Sequence, residues 1–246
     1  MLVENFARVQ TEIAAACQRA GRDARSVTLV AVSKLHSPQA MLMAYQAGVR
    51  HFGENRVEEA APKKAAFLDL LPKDAPPPTW HMIGHIQSRK AQAVIETFDV
   101  IHAVDSWRLA ERIDRLAADH NARPTIMLQI NISGEESKAG LGADQWETSP
   151  TQRQTLWEVV ESISHLTAIH AIGLMTMAPY VAEPEATRPV FAGLRCLRDA
   201  LAVDFPTMTW DALSMGMTND YPVAIEEGAT HVRIGRAIFG ETEKGY

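Results

Sequence analysis

Lys34 closes the apolar run Val27-Thr-Leu-Val-Ala-Val-Ser33, and a primary amine at the end of such a run is partly desolvated. Desolvation lowers its pKa and suits it to Schiff-base formation with a carbonyl compound. Alone, the residue reads as well as a lysine that marks a strand end in water. Two later stretches bear on the choice. Ser214-Met-Gly-Met217 with Thr218, and Gly235 within Arg233-Ile-Gly-Arg-Ala-Ile-Phe-Gly240, place small residues and donors where backbone N–H groups can approach a phosphate closely. Either glycine alone reads as a turn residue. Arg233 sits inside an apolar run, where its charge needs a partner; an acid such as Glu54 or the ring nitrogen of a bound cofactor would serve. His81 and His85 are four apart, but Gly84 and the β-like run between them do not make one helical face, so no metal site is expected. They read as neutral, hydrogen-bonded histidines. Met175, Met177, Met215 and Met217 fill core gaps or pack against a flat ring.

The elements that must position these residues follow from hydrophobic periodicity. Leu2, Phe6, Val9, Ile13, Ala16 and Cys17 recur at helical spacing and Gly21 stops them, which predicts a helix ahead of the first strand. Val27–Ser33 is β-branched and nearly continuous in hydrophobicity, as a strand covered on both faces should be. Pro38 opens the next helix, through Met41, Leu42 and Tyr45 to Gly48. Strand candidates recur at Arg50–Gly53, Thr79–Ile83, Val100–Val104, Thr125–Ile132, Ala168–Met175, Thr209–Leu213 and His231–Ile234, mostly with helical segments between them. With the first strand this alternation predicts an α/β fold, a single (β/α)8 TIM-type barrel with an additional N-terminal helix, as one domain over residues 1–246. The Pro-rich stretch Leu71–Pro78 is read as a surface loop between a helix and the third strand. In a parallel barrel, reactive groups belong at the C-terminal strand ends. Lys34, Glu54-Asn55, His81 to His85, Asn131 to Ser133, Met175 to Met177, Ser214 to Met217 and Arg233 to Arg236 would then converge on one mouth.

A net charge of -6 and a pI near 5.8 give no general attraction to nucleic acid or an anionic membrane. Cys17 and Cys196 lie far apart and are read as buried free thiols of a reducing compartment. The start Met1-Leu-Val-Glu-Asn has no basic segment followed by an apolar run, and no stretch reaches membrane-spanning length, so a soluble cytoplasmic protein is expected.

The strand endings resemble those of the pyridoxal phosphate homeostasis proteins, fold-type-III proteins similar to the barrel domain of bacterial alanine racemase. The likeness covers nearly the whole chain. It rests on Val30-Ala-Val-Ser-Lys34, Phe52-Gly-Glu-Asn55, Trp80-His-Met-Ile-Gly-His-Ile-Gln-Ser88, Asn131-Ile-Ser-Gly-Glu-Glu-Ser-Lys138, Gly173-Leu-Met-Thr-Met177, Leu213-Ser-Met-Gly-Met217, and Val232-Arg-Ile-Gly235 with Ala237-Ile-Phe-Gly240. The resemblance implies that pyridoxal phosphate is the cofactor and Lys34 its aldimine lysine. Asn55 would line the ring, with Met175 and His81 nearby. Ser214, Met215, Gly216, Gly235 and Arg236 would hold the phosphate, and Arg233 would face the pyridine nitrogen. An arginine there discourages protonation of the ring nitrogen and weakens the cofactor as an electron sink.

Alanine racemases carry a second β domain beyond the position of Phe239-Gly240, which supplies a catalytic tyrosine; this chain runs only to Tyr246. The resemblance therefore implies a protein that carries, buffers and delivers pyridoxal phosphate, with no catalytic residues and with pyridoxal-phosphate-dependent apo-enzymes as recipients. The alternative is a small fold-type-III enzyme such as an amino-acid racemase, with Lys34 and His81 as bases; a metal-dependent hydrolase has little support in the histidine spacing. Three places depart from the family pattern: Ser88-Arg89-Lys90, Met217-Thr-Asn-Asp-Tyr-Pro222, and Arg236, where a hydroxyl residue is common. Arg236 either supplies charge to the phosphate or points to solvent.

Overall fold

The computed structural model describes residues 1–135 and 138–241. Eight parallel strands form a closed barrel: β1 (Thr28–Val32), β2 (His51–Glu54), β3 (Thr79–Met82), β4 (Val100–Val104), β5 (Thr125–Asn131), β6 (His170–Met175), β7 (Ala212–Met217) and β8 (His231–Ile234). They pair in chain order, and β8 returns to β1 through Thr28 beside His231 and Ala31 beside Ile234. A two-residue stretch, Leu141–Gly142, adds to the end of β5. The expected TIM-type barrel is therefore observed.

The helices are α1 (Leu2–Arg19), α2 (Pro38–Gln46), α3 (Val57–Leu68), α4 (Ala91–Thr97), α5 (Trp107–Asp119), α6 (Pro150–Ser164), α7 (Arg188–Asp204), α8 (Tyr221–Glu226) and α9 (Arg236–Phe239). No helix among the described residues is long and apolar enough to cross a membrane. α1 is the extra N-terminal helix. Its stripe Phe6, Val9, Ile13, Ala16 and Cys17 is buried, and the helix packs on α8 and α9. Tyr221 donates its hydroxyl to Glu12, Asn5 Nδ2 donates to the Ile238 carbonyl at 3.2 Å, and Gly21 reverses the chain at φ +65. Ser37 caps α2 by accepting from the Ala40 N–H at 3.2 Å, with Pro38 in the first turn.

Two apolar cores result from strand alternation. Outward residues such as Ala31, Phe52, Ile101, Leu128, Leu174, Leu213 and Val232 pack against the helices. Ala103, Met127, Met175 and Ala212 form a smaller cluster inside the barrel. Cys17 belongs to the outer core, but Cys196 is exposed, which corrects the reading of both thiols as buried. The buried stripe of α7 is Phe191, Leu194, Leu197 and Leu201, and residue 196 falls off it.

β7 is the strand least well placed by periodicity: it begins three residues after the expected Thr209 and runs on through Ser214-Met-Gly-Met217, beyond the expected end at Leu213. Ser214 lies beside His231 and Met217 beside Arg233, so three steps along β7 match two along β8. Gly216, at φ +92, takes up the extra residue as a bulge. A Cβ there would come within 2.6 Å of the Ala224 Cβ and 2.9 Å of the Tyr221 Cα. The bulge thus turns Gly216 against the start of α8 and carries the chain out to Thr218.

Gly216→Ala is expected to cost about 2–4 kcal/mol, combining a left-handed backbone with overpacking. Gly21→Ala, at φ +65 but with nothing within 4 Å of its added Cβ, should cost only about 1 kcal/mol. Urea unfolding of the two variants checks the difference.

Candidate functional site

At the C-terminal end of the barrel lies a pocket of about 680 Å³. Lys34 and His36 from the loop after β1, Asn55 after β2, and Gly84 and His85 after β3 contribute to its wall. Met177 and Tyr180 after β6, Thr218 to Asp220 after β7, Arg233 from β8 and Gly235-Arg236 after it complete the part that carries chemistry. Lys34, Arg233 and Arg236 outnumber Asp220 and Glu241 in the lining, which suits an anionic ligand.

β1 ends at Val32, two residues before Lys34. Ser33 still donates its N–H to the Gly53 carbonyl at 3.0 Å; Lys34 and Leu35 then form a turn, with Leu35 at φ +67 and His36 N–H donating to the Ser33 carbonyl at 3.0 Å. A buried set of polar groups holds this turn from behind. Ser33 Oγ donates to Glu54 Oε1 at 2.7 Å, while Lys63 Nζ, from α3, donates to Glu54 Oε1 at 2.8 Å and to the Ser33 carbonyl at 3.0 Å. Glu54 is fully buried. Removing Lys63 would strand its carboxylate and loosen the base of the Lys34 turn. Across the pocket, a Cβ on Gly84 would come 2.3 Å from the Asn55 carbonyl oxygen and 2.7 Å from its Cα, so Gly84 is what lets Asn55 occupy the wall.

Below the pocket the barrel interior is polar on one side. Arg233, only 4% exposed, donates from Nη1 to Ser214 Oγ at 2.5 Å and from Nη2 to the Thr176 carbonyl at 2.8 Å. Ser214 Oγ lies 2.8 Å from His102 Nδ1, His102 Nε2 lies 2.8 Å from His81 Nδ1, and His81 Nε2 lies 3.0 Å from His51 Nδ1. His231 stands beside His81 and His102, with Nδ1 2.9 Å from Thr230 Oγ1. Burial pulls the Arg233 guanidinium down to about 10, opposed by the nearby Asp220 carboxylate, and leaves it charged at neutral pH. Burial raises Asp220, against its bond from the Met217 N–H at 2.6 Å and the charge of Arg233. His81 and His102 are held well below the ordinary histidine range, first by burial and then by neighbouring histidines. Burial lowers His51 as well, and burial with His51 and Arg233 brings His231 to about 4.

Of the residues expected at the site, the structure brings Lys34, Asn55, Arg233, Gly235 and Arg236 to one pocket wall, with Arg236 exposed. Ser214, His81 and Met175 are buried inside the barrel; Met215 is buried in the outer core, and Gly216 packs on α8. His81 is thus beneath the mouth, while His85 is at it, bonded to Asp105 through Nδ1 at 2.9 Å. The suggested Glu54 partner of Arg233 is corrected: Glu54 faces α3 and pairs with Lys63. In the stretch Asn131 to Lys138, Glu136 and Ser137 lie outside the described residues. Sequence reasoning missed His51, His102 and His231. Parity could have found His231, which shares its facing with Arg233 on β8; His51 and His102 lie on strands from which no inward-facing strand residue had been singled out, and the register of β4 slips between Ile101 and Val104.

The family model described as alanine racemase, N-terminal domain, matches residues 6–243. The pyridoxal phosphate homeostasis protein of Aquifex aeolicus is 37% identical over 238 residues, which is 97% of this chain and 97% of the relative. That of Pseudomonas aeruginosa is 38% identical over 244 residues, covering 99% and 97%. Among solved structures, PipY of Synechococcus elongatus with PLP bound aligns with a TM-score of 0.80 at 37% identity, over 98% of this chain and 100% of that one. A Clostridium difficile alanine racemase in complex with cycloserine aligns at 0.65 with 12% identity, over 96% of this chain and 60% of that one, a likeness of fold.

The interior histidines make stability depend on pH. The His231 pKa falls from 6.5 to about 4 on folding, so between those values the unfolded chain binds more protons and stability is lost as pH drops. At pH 5 this one group should cost up to about 2 kcal/mol relative to neutral pH, with His81 and His102 adding in the same direction. Urea unfolding between pH 7.5 and 5 checks this, and His231→Gln should flatten the dependence.

Proposed function

Because the chain belongs to the pyridoxal phosphate homeostasis protein family, within the alanine racemase N-terminal domain group, we propose that it binds pyridoxal phosphate covalently through Lys34 and serves to hold and release it. The observation that carries this reading is Arg233: a charged guanidinium, 4% exposed, that donates to two uncharged oxygens and also lines the pocket shared with Lys34. Such a group calls for a further acceptor on the pocket side. Pyridoxal phosphate supplies an aldehyde that condenses with a primary amine, a ring nitrogen that accepts a hydrogen bond, and an anionic phosphate.

The residues present fit those groups. Arg233 stands beside Val30 in the register of β1 and β8, four residues deeper than Lys34. The amine therefore comes from the rim and the guanidinium from the floor. Gly235, Arg236, Thr218 and Asn219 offer backbone and side-chain donors for the phosphate near the ends of β7 and β8. The Arg236 guanidinium, exposed at this edge, takes the part of added charge where a hydroxyl is common. Asn55, held against Gly84, lines the ring side.

A guanidinium facing the ring nitrogen keeps that nitrogen unprotonated, which suits holding the cofactor better than drawing electrons through it. Together with the name shared by the relatives, this supports a carrier without a substrate reaction of its own. Apo-enzymes that require the same cofactor are the recipients in this reading.

Purified protein mixed with pyridoxal phosphate should develop a visible absorbance band, and borohydride should fix a label to the peptide containing Lys34. Lys34→Ala should lose both the band and the label. Absence of the band and label in the unaltered protein would defeat the binding reading. Exchange of amino-acid α-protons in heavy water that depends on Lys34 would defeat the carrier reading and leave binding intact.

A further inference from the structure

Arg233, Ser214, His102, His81 and His51 stand in one line of contacts, from the pocket floor to a half-buried histidine at the start of β2, the opposite end of the barrel. The order of donors along it follows from counting hydrogens. A guanidinium only donates, so Ser214 Oγ accepts from Arg233. The Ser214 hydroxyl hydrogen then goes to His102 Nδ1, and His102 carries its single proton on Nε2. That proton is given to His81 Nδ1, which puts the His81 proton on Nε2, given in turn to His51 Nδ1. Every hydrogen passed from Arg233 Nη1 to His51 Nδ1 finds an acceptor, and all three rings are neutral. In the reverse order Ser214 Oγ would receive two donors, and its own hydrogen would have no acceptor among the contacts of the described residues.

We propose that Ser214, His102, His81 and His51 are positioning residues for Arg233: an oriented chain of hydrogen bonds, anchored at the far end of the barrel, that aims the guanidinium at the ligand in the pocket. The chain stands on the interior geometry alone; its effect on the ligand rests on the binding of pyridoxal phosphate.

Several charges and rings bear on the chain. His231 of β8 lies beside His81 and His102, Arg233 faces His102 and His231, and Asp220, just before α8, faces Arg233. None of these supplies an anion to His51, His81 or His102, so neutrality is the state the surroundings favour. Orientation is then a property of the whole line. Each ring has one proton, and moving it on one ring obliges the next to follow. If the acceptor at His51 is removed, the His81 Nε2–H loses its partner, and the first order then leaves one hydrogen unaccepted, as the reverse order does at Ser214. The single orientation is lost, and forms with His81 and His102 protonated on Nδ1, in which Ser214 receives donors from both sides, become populated beside the first. A change at the bottom of the barrel would thereby reach the contact that holds Arg233.

Long-range proton–nitrogen NMR of the protein without added pyridoxal phosphate reads the tautomers directly. His81 and His102 should both be protonated on Nε2. In His51→Phe both should show a share of the Nδ1 form, whereas in His51→Gln, whose amide oxygen still accepts, both should stay on Nε2. Pyridoxal phosphate titrated by absorbance should bind His51→Phe about 2- to 3-fold more weakly, because of the molecules left in the reverse order, and His51→Gln as tightly as the unaltered protein. His102 found protonated on Nδ1 in the unaltered protein would overturn the chain, as would an unchanged pattern in His51→Phe. Mixed tautomers with unchanged affinity would overturn the positioning of Arg233. The unaltered protein and His51→Gln keep the orientation testable if His51→Phe does not fold. Failure of the unaltered protein to bind pyridoxal phosphate would instead strike the functional reading, with the tautomers still deciding the chain.

Discussion

A guanidinium buried inside a barrel must be held by groups that can only accept from it, and the interior of this protein is arranged around that requirement at Arg233. Ser214 and the Thr176 carbonyl take two of its N–H groups, and both acceptors are themselves fixed. Thr176 donates its N–H to the Ser214 carbonyl at 3.1 Å and its hydroxyl to the Ile130 carbonyl at 2.8 Å. Ser214 leads on to the histidines. The apolar cluster of Ala103, Met127, Met175 and Ala212 fills the rest of the interior with atoms that make no demands. Polar and apolar halves of one small barrel are thereby kept apart, and the charge stays at the end that faces the pocket.

The rim is supported from outside the barrel. Lys34 belongs to a turn whose shape depends on Ser33, and Ser33 is held by Glu54 and Lys63 behind the sheet. Asn55 depends on the missing side chain of Gly84, and the stretch from Thr218 depends on the bulge at Gly216. The rim groups that meet the ligand in the proposed reading are thus placed by backbone irregularities at the ends of strands, whereas Arg233 points in from within β8. Regular strands alone would align side chains without turning any of them toward the barrel axis at the required depth.

Strand positions were most legible where apolar residues recur at strand spacing. Val100–Val104 and His231–Ile234 run as periodicity predicts, the first mostly apolar and the second alternating His231 and Arg233 with Val232 and Ile234. The seventh strand was misjudged because serine, glycine and methionine look like a loop, and only pairing with β8 shows them to be a bulged strand. Local propensity carries no information about which neighbour a strand will pair with. Cys196 was misassigned for a related reason: its helix was read correctly, but its facing depends on a stripe set by residues on other elements.

The sequence by itself determined the kind of fold, the family, and the Lys34, Asn55, Arg233, Gly235 and Arg236 positions of the pocket wall, because these stand in strand-end motifs whose order along the chain survives folding. Tertiary structure alone decided that Ser214 and His81 turn inward, that Glu54 serves Lys63, and that three histidines from separate strands stand in contact with one another. Such contacts depend on strand register around a closed barrel. A shift of one residue reverses the facing of a side chain, and register is set by packing across the whole ring of strands, beyond what any single segment specifies.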